Sequence, residues 1–324
     1  MNMRTLTLTI ALIACVFTPS LVCGEPPVAA KPLPSETARK AVYNESADAN
    51  ADIAAALARA QRNHTRVFVQ WGANWCGWCK WLHEKCQTDR AIASALRSEY
   101  EVVLVDVGQF DKHLDLLTKF HANAKQEGIP YITVLDESGS VVTNQETSSL
   151  ENPVGTEPKG HDGAKVLAFL KQHEAPRVDA ALALSDAITK AKLEGKLVFV
   201  HFGAPWCGWC HRLEEWMAKP EVAAILSKAF VDVKIDTARM TGGEALLKAH
   251  ADGKSGGIPW SEFLDAEGKA LVNSNGPQGN IGFPAQAEEI AWFVAMLRQS
   301  KARLSNDEIA ALAASLTAPA KAPH

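Results

Sequence analysis

The stretches "WGANWCGWCK" at 71–80 and "FGAPWCGWCH" at 202–211 each set two cysteines three positions apart. A cysteine thiolate is both a nucleophile toward disulfides and a soft metal ligand. A disulfide across two intervening residues closes almost no loop, so it restrains the unfolded chain little and makes a poor staple. Redox cycling and metal binding are better uses of such pairs. A zinc site needs three or four ligands. Each pair supplies two, with His83 and His211 as the nearest further donors, and a four-cysteine site built from both pairs is the remaining metal reading. Trp75, Trp78, Trp206 and Trp209 surround the sulfurs with apolar, amphipathic surface suited to gripping an extended peptide. Gly77 and Gly208 permit a tight entry into the element that follows.

The elements that must position these cysteines occur twice. "DIAAALARAQRNHTRVFVQWGANWC" precedes the first pair and "SDAITKAKLEGKLVFVHFGAPWC" the second: an alanine-rich helix, a break, then a β-branched strand at Val67–Val69 or Val198–Val200. After the pairs, Cys79, Leu82 and Cys86 match Cys210, Leu213 and Met217, a spacing that puts each set on one helix face. Cys86 therefore reads as core packing. "EVVLVDV" at 101–107 matches "FVDVKID" at 230–236 as strands, and "HLDLLTKFHA" matches "GGEALLKAHA" as helices. "GIPYITVLDESG" and "GIPWSEFLDAEG" each predict a strand after Ile-Pro and a turn ending in Gly139 or Gly268. "AKVLAFLKQH" and "EEIAWFVAMLRQ" close the two copies as amphipathic helices. The expected order in each copy is strand, cysteine helix, strand, helix, strand, strand, helix. His64, His113, His121, His161, His173 and His250 lack ligand spacing and read as surface residues.

Composition narrows the remaining classes. At 324 residues the chain exceeds what one core usually organises, so two domains are expected. The net charge of −4, with no basic stripe interleaved with aromatics, gives no footprint for nucleic acid. No internal apolar run is long and clean enough to span a membrane. The N-terminus has the layout of an export signal: a basic start at Met1–Arg4, the apolar "TLTLTIALIACVF", Pro19, and small residues for cleavage before Glu25. Leu12-Ile13-Ala14-Cys15 resembles a lipid-attachment box, which makes a lipoprotein anchored at Cys15 the minority alternative. Residues 1–24 are thus expected as signal, 25–46 as a disordered or linker segment, 47–175 and 176–300 as the two domains, and 301–324 as a C-terminal helix and tail. A capping box, Ser305 with Glu308, starts that last helix. The polar stretch 143–162 reads as a long loop, and so does its Gly/Pro-rich counterpart "NSNGPQGNIGFP".

Trp-Cys-x-x-Cys between a strand and a helix, followed further on by Ile129-Pro130 or Ile258-Pro259, resembles thioredoxin. The Gly-Trp dipeptide inside each pair is similar to exported bacterial thioredoxin-like domains, such as the C-terminal domain of the transmembrane thiol:disulfide interchange protein. The resemblance spans 52–173 and 178–299. It implies an α/β chain of two tandem thioredoxin folds, each a central mixed β-sheet flanked by helices. It implies that Cys76 and Cys207 attack, that Cys79 and Cys210 resolve, and that Pro130 and Pro259 are cis-prolines lining the peptide groove with the four tryptophans. The chemistry fits the layout: a helix N-terminus lowers the first cysteine's pKa, and the second sulfur can then resolve a mixed disulfide.

There are departures from thioredoxin. Its buried aspartate before the pair is replaced by Gln70 and His201. Glutamine cannot serve as a base, whereas an imidazole can, which makes His201 a candidate proton acceptor beneath Cys210. Tryptophan stands where strong oxidases and isomerases carry histidine inside the pair, which leans toward reduction. The implied function is an exported thiol–disulfide oxidoreductase, more reductase than oxidase. Its implied partners are extracytoplasmic protein thiols or disulfides and a membrane electron donor, with no cofactor. The alternative is a non-enzymatic peptide- or protein-binding scaffold.

Overall fold

The computed structural model describes residues 41–157 and 159–317. The expected signal at 1–24 and the tail beyond 317 lie outside the described residues.

Helix α1 (Ala49–Asn63) starts where the Asp48 carboxylate accepts from the Asn50 and Ala51 amides, and it buries the stripe Ala49, Ile53, Ala56 and Ala60. His64, in the left-handed region at φ 51°, ends it. Strand β1 (Arg66–Gly72) is buried from Val67 onward. It pairs parallel with β2 (Tyr100–Asp106) and antiparallel with β3 (Tyr131–Leu135), and β4 (Val141–Glu146) joins β3. The sheet order is β2-β1-β3-β4, so the cysteine-bearing connection leaves a central strand. Helices α2 (Gly77–Thr88), α3 (Arg90–Glu99), α4 (Leu114–Lys119), α5 (Ala124–Glu127) and α6 (Gly163–Gln172) complete the first fold.

The second fold repeats this plan. Helix α7 (Ala180–Glu194) leads into β5 (Leu197–Gly203), α8 (Gly208–Met217), α9 (Pro220–Ala229), β6 (Phe230–Asp236), α10 (Gly243–His250), β7 (Trp260–Leu264) and β8 (Ala270–Asn273). The sheet order is β6-β5-β7-β8. A small hairpin, β9 (Asn275–Gly276) with β10 (Gly279–Asn280), precedes α11 (Ala287–Gln299) and α12 (Asn306–Thr317). Helix α12 opens with the expected Ser305–Glu308 box and packs Ile309, Leu312 and Leu316 into the core of the second fold.

Alternation along the central strands separates two cores in each fold. Val67, Val69 and Trp71 face α1, while Phe68 faces α2, α3 and α6. Val198, Val200 and Phe202 face α7, while Phe199 faces α8, α9 and α11. Gln70 and His201 follow the parity of Phe68 and Phe199, so both lie on the cysteine-helix side.

Several expectations are corrected. Residues 41–46, expected to belong to a disordered or linker segment, are docked on the first fold, with Tyr43 buried. The cysteine helix is followed in each copy by a separate helix. In the first, Asp89 adopts an extended conformation that ends α2, and its side chain caps α3. In the second, Pro220 occupies the first turn of α9. The stretch 143–162 is not all loop. It contains the end of β4, a single 3-10 turn at Ser148–Leu150, and a bridge between Glu151 and His161. His161, expected at the surface, is buried there at 1% exposure.

Candidate active site at two helix N-termini

Cys76 is the N-cap of α2 and Cys207 the N-cap of α8, both with extended backbone. Each first sulfur accepts from a helix amide: Cys79 N lies 3.0 Å from Cys76 Sγ, and Cys210 N lies 3.2 Å from Cys207 Sγ. An amide and the positive end of a helix aimed at sulfur favour its thiolate form once the pair is reduced. Both pairs are disulfide-bonded, each with Cα atoms 5.3 Å apart. Cys76 and Cys207 retain 5% and 6% exposure, against 0% and 2% for Cys79 and Cys210, so an incoming sulfur meets the first cysteine before the second.

The Ile-Pro loops complete the mouth of each site. The Ile129–Pro130 and Ile258–Pro259 bonds are cis. The Ile129 carbonyl oxygen lies 3.5 Å from Cys76 Sγ, and that of Ile258 lies 3.6 Å from Cys207 Sγ. Trp75, Trp206 and Trp209 are 53%, 67% and 52% exposed, a large apolar surface gathered at the sulfurs. Trp75 is tethered, its Nε1 donating to the Gly108 carbonyl at 2.7 Å.

The tryptophans inside the pairs differ. Trp78 is half-buried and meets Trp81 and His161 edge-on, at 4.9 and 5.8 Å between ring centres. Burial drives the His161 pKa down to about 4, and neither ring nitrogen has a partner among the described residues. Trp209 instead stacks on Phe283 and carries the Arg212 guanidinium over its ring at 4.8 Å.

The undersides differ more. A Cβ on Gly203 would lie 3.3 Å from Cys210 Sγ and 3.8 Å from Glu214 Oε1. Glu214 therefore reaches the region below Cys210. Lys234 Nζ forms an ion pair with that carboxylate oxygen at 2.7 Å and donates to Asn63 of the first fold at 2.9 Å. His201 is buried on the same face, with Nε2 3.2 Å from Asp232 Oδ1. In the first site Gln70 Nε2 donates to the Tyr43 hydroxyl at 2.6 Å. Tyr43 packs in one cluster with Cys76 and Cys79. Cys86 is a buried free thiol whose pKa is pushed up to about 12 by burial and the nearby Asp89.

Sequence reading passed over Tyr43 and Glu214. Glu214 was findable, because it stands one helical turn after Cys210 and so on the same face; its counterpart in the first copy is His83. Tyr43 carried no local signal.

A family model described as "Thioredoxin-like" matches residues 48–137, and one described as "Protein of unknown function, DUF255" matches residues 164–314. The chain is 28% identical to protein disulfide-isomerase 1 of Dictyostelium discoideum, over 45% of this chain and 38% of that one. It is 31% identical to spermatogenesis-associated protein 20 of Homo sapiens, over 28% of this chain and 12% of that one. The chain spans well under half the length of these curated relatives. A disulphide isomerase structure from Xylella fastidiosa Temecula1 is 28% identical, with 42% of this chain and 98% of that chain covered and a TM-score of 0.37.

Proposed function

We propose that this chain, which carries a thioredoxin-like domain followed by a DUF255 domain, is an exported thiol–disulfide oxidoreductase that reduces protein disulfides at two sites. The observation that carries the reading is the pairing, at each site, of a sulfur capped by a helix amide with a more buried partner sulfur beside it. A curated relative named as a disulfide isomerase supports the same chemistry.

The reaction balances without a further reagent in its first half. The Cys76 or Cys207 thiolate attacks one sulfur of the substrate disulfide, and the other substrate sulfur leaves as a thiolate and takes a proton. The Cys79 or Cys210 thiolate then attacks the first cysteine's sulfur. The mixed disulfide breaks, the second substrate thiol departs, and the pair is left oxidised. A membrane dithiol donor restores it by the reverse exchange. Trp75, Trp78, Trp206, Trp209, Pro130 and Pro259 hold the substrate strand across the sulfurs. Below Cys210, Glu214 is the group positioned to take the resolving thiol's proton, with His201 as the second candidate.

The test uses Cys79→Ser and Cys210→Ser proteins expressed in the native host. Reductant-sensitive mixed disulfides should accumulate with these variants and not with Cys76→Ser or Cys207→Ser. Adducts confined to the cytosol would refute export. A reduction potential near −120 mV for both pairs, the range of strong oxidases, would reverse the direction; one near about −270 mV would support reduction. The exposed tryptophans favour a second reading, a binding scaffold, which would stand if peptide binding survived with no adduct and no turnover.

A further inference from the structure

We infer that Tyr43 is a catalytic group of the first site, its hydroxyl donating a hydrogen bond to the Cys79 thiolate when the pair is reduced. The inference rests on the reading that Cys76 and Cys79 exchange disulfides. The phenol is brought there by the strap at 41–46. Asn74, just before Trp75, accepts from the Val42 and Tyr43 amides at 2.9 and 3.0 Å and donates back to the Tyr43 carbonyl at 2.9 Å. Lys112 Nζ donates to the Glu45 carbonyl at 3.0 Å. Four hydrogen bonds thus fix a residue that local sequence leaves free.

The hydroxyl and the resolving sulfur are both neighbours of Gly72 and share one packed cluster. A Cβ there would collide with the Tyr43 hydroxyl and come within 3.0 Å of Cys79 Sγ. At the corresponding point of the second fold, Gly203, the neighbours are Cys210 Sγ and Glu214 Oε1. A phenol therefore borders the first resolving cysteine where a carboxylate borders the second. Gln70 sets the phenol's polarity. Its Nε2 donates to the Tyr43 oxygen, which leaves the phenol hydrogen to point elsewhere, and no other hydrogen bond of that hydroxyl forms among the described residues. Burial raises the phenol's pKa well above its usual value in spite of the Gln70 hydrogen bond, so the proton stays available.

The charged and titratable groups facing the pair are few. Asp106 at the end of β2 is held by Lys112 at 2.7 Å, Cys86 on α2 is a protonated thiol, and Glu45 on the strap is held by Asn74 Nδ2 at 2.9 Å. None of them supplies a cation to a Cys79 thiolate, which leaves the phenol as the donor. During resolution Tyr43 keeps its proton. The Cys79 electron pair forms the bond to Cys76 Sγ, and the substrate sulfur leaves with the pair from the broken bond.

The test is a titration that needs no substrate, so it can fail while turnover succeeds and the reverse. The full chain carries Cys76→Ser, Cys207→Ser and Cys210→Ser, with 13Cβ-labelled cysteine reporting Cys79 by NMR. Adding Tyr43→Phe, which fills the same space, should raise the Cys79 pKa by about one unit, an approximately tenfold loss of thiolate at neutral pH. Gln70→Met should shift it in the same direction by less, and carries the test if Tyr43→Phe does not fold. The Cys210 pKa, read in a Cys207→Ser background, should not move with Tyr43→Phe. A Cys79 pKa unchanged in the folded variants, or an equal shift at Cys210, would overturn the inference.

Discussion

Two cysteine pairs of identical sequence sit above different chemistry. Cys210 has the Glu214 carboxylate below it, with Lys234 at 2.7 Å and the His201–Asp232 pair on the same face. Cys79 has a phenol and an amide. A proton leaving Cys210 has an anionic acceptor at hand, whereas one leaving Cys79 has none among the neighbours of Gly72. The two sites should therefore differ in how resolution depends on the group below the second cysteine. With the first pair changed to serine, Glu214→Gln should slow resolution through Cys207 and Cys210 by about a hundredfold or more, the scale of a lost general base, as read by the decay of a mixed disulfide. His201→Gln should leave that rate close to the parent's. A slow His201→Gln with an unchanged Glu214→Gln would make the imidazole the acceptor, and unchanged rates in both variants would dismiss both groups.

At the scale of elements, periodicity made the cysteine helices, the central strands and the closing helices legible. Each buries residues at its own repeat, as the Ala49, Ile53, Ala56, Ala60 stripe does. Cys86 read correctly as core because Met217 stands in its place on the same face. What escaped notice was set by contacts distant in sequence. Tyr43 docks through Asn74 and Gln70, and nothing within 41–46 announces it. The break between α2 and α3 rests on one residue, Asp89, which hides inside an unbroken polar run. His161 sits in a polar stretch yet is buried against Trp78 because the Glu151 bridge folds that stretch back. That burial has a thermodynamic signature. With its pKa pushed down to about 4 from an unfolded value of about 6.5, His161 is held neutral in the native state. The unfolded chain binds the extra proton between those values, so the contribution is fully present above about pH 6.5 and is lost as pH falls toward 4. The loss is on the order of 3 kcal/mol. Urea unfolding across that range should show it, and His161→Phe, which keeps a ring against Trp78, should flatten the dependence. An unchanged slope in that variant would assign the acid sensitivity elsewhere.

At the scale of the whole molecule, the two folds are joined by charge as well as by the chain. Arg239, after β6, has a side chain 1% exposed; its Nε donates to Glu99 at the end of α3 at 2.7 Å, and its Nη2 donates to the Ala175 carbonyl at 3.2 Å. Arg177 reaches the other oxygen of Glu99 at 2.9 Å. Five residues before Arg239 on the chain, Lys234 links Asn63 of the first fold to Glu214 below Cys210. The second site is thus one ion pair removed from the first fold, and the brace holds the frame in which Lys234 meets its partners. A buried ion pair adds little net stability when intact but costs much when half of it is removed, since the remaining charge loses its partner. Arg239→Met should destabilise the protein by about 3 kcal/mol, softened by the retained Arg177 contact. Adding Glu99→Leu removes the stranded carboxylate and should recover more than half of that loss, a coupling that urea titrations of both single variants and the double would expose. Losses that simply add would mean that Arg239 and Glu99 act separately, and that the folds are held by apolar packing and the linker instead.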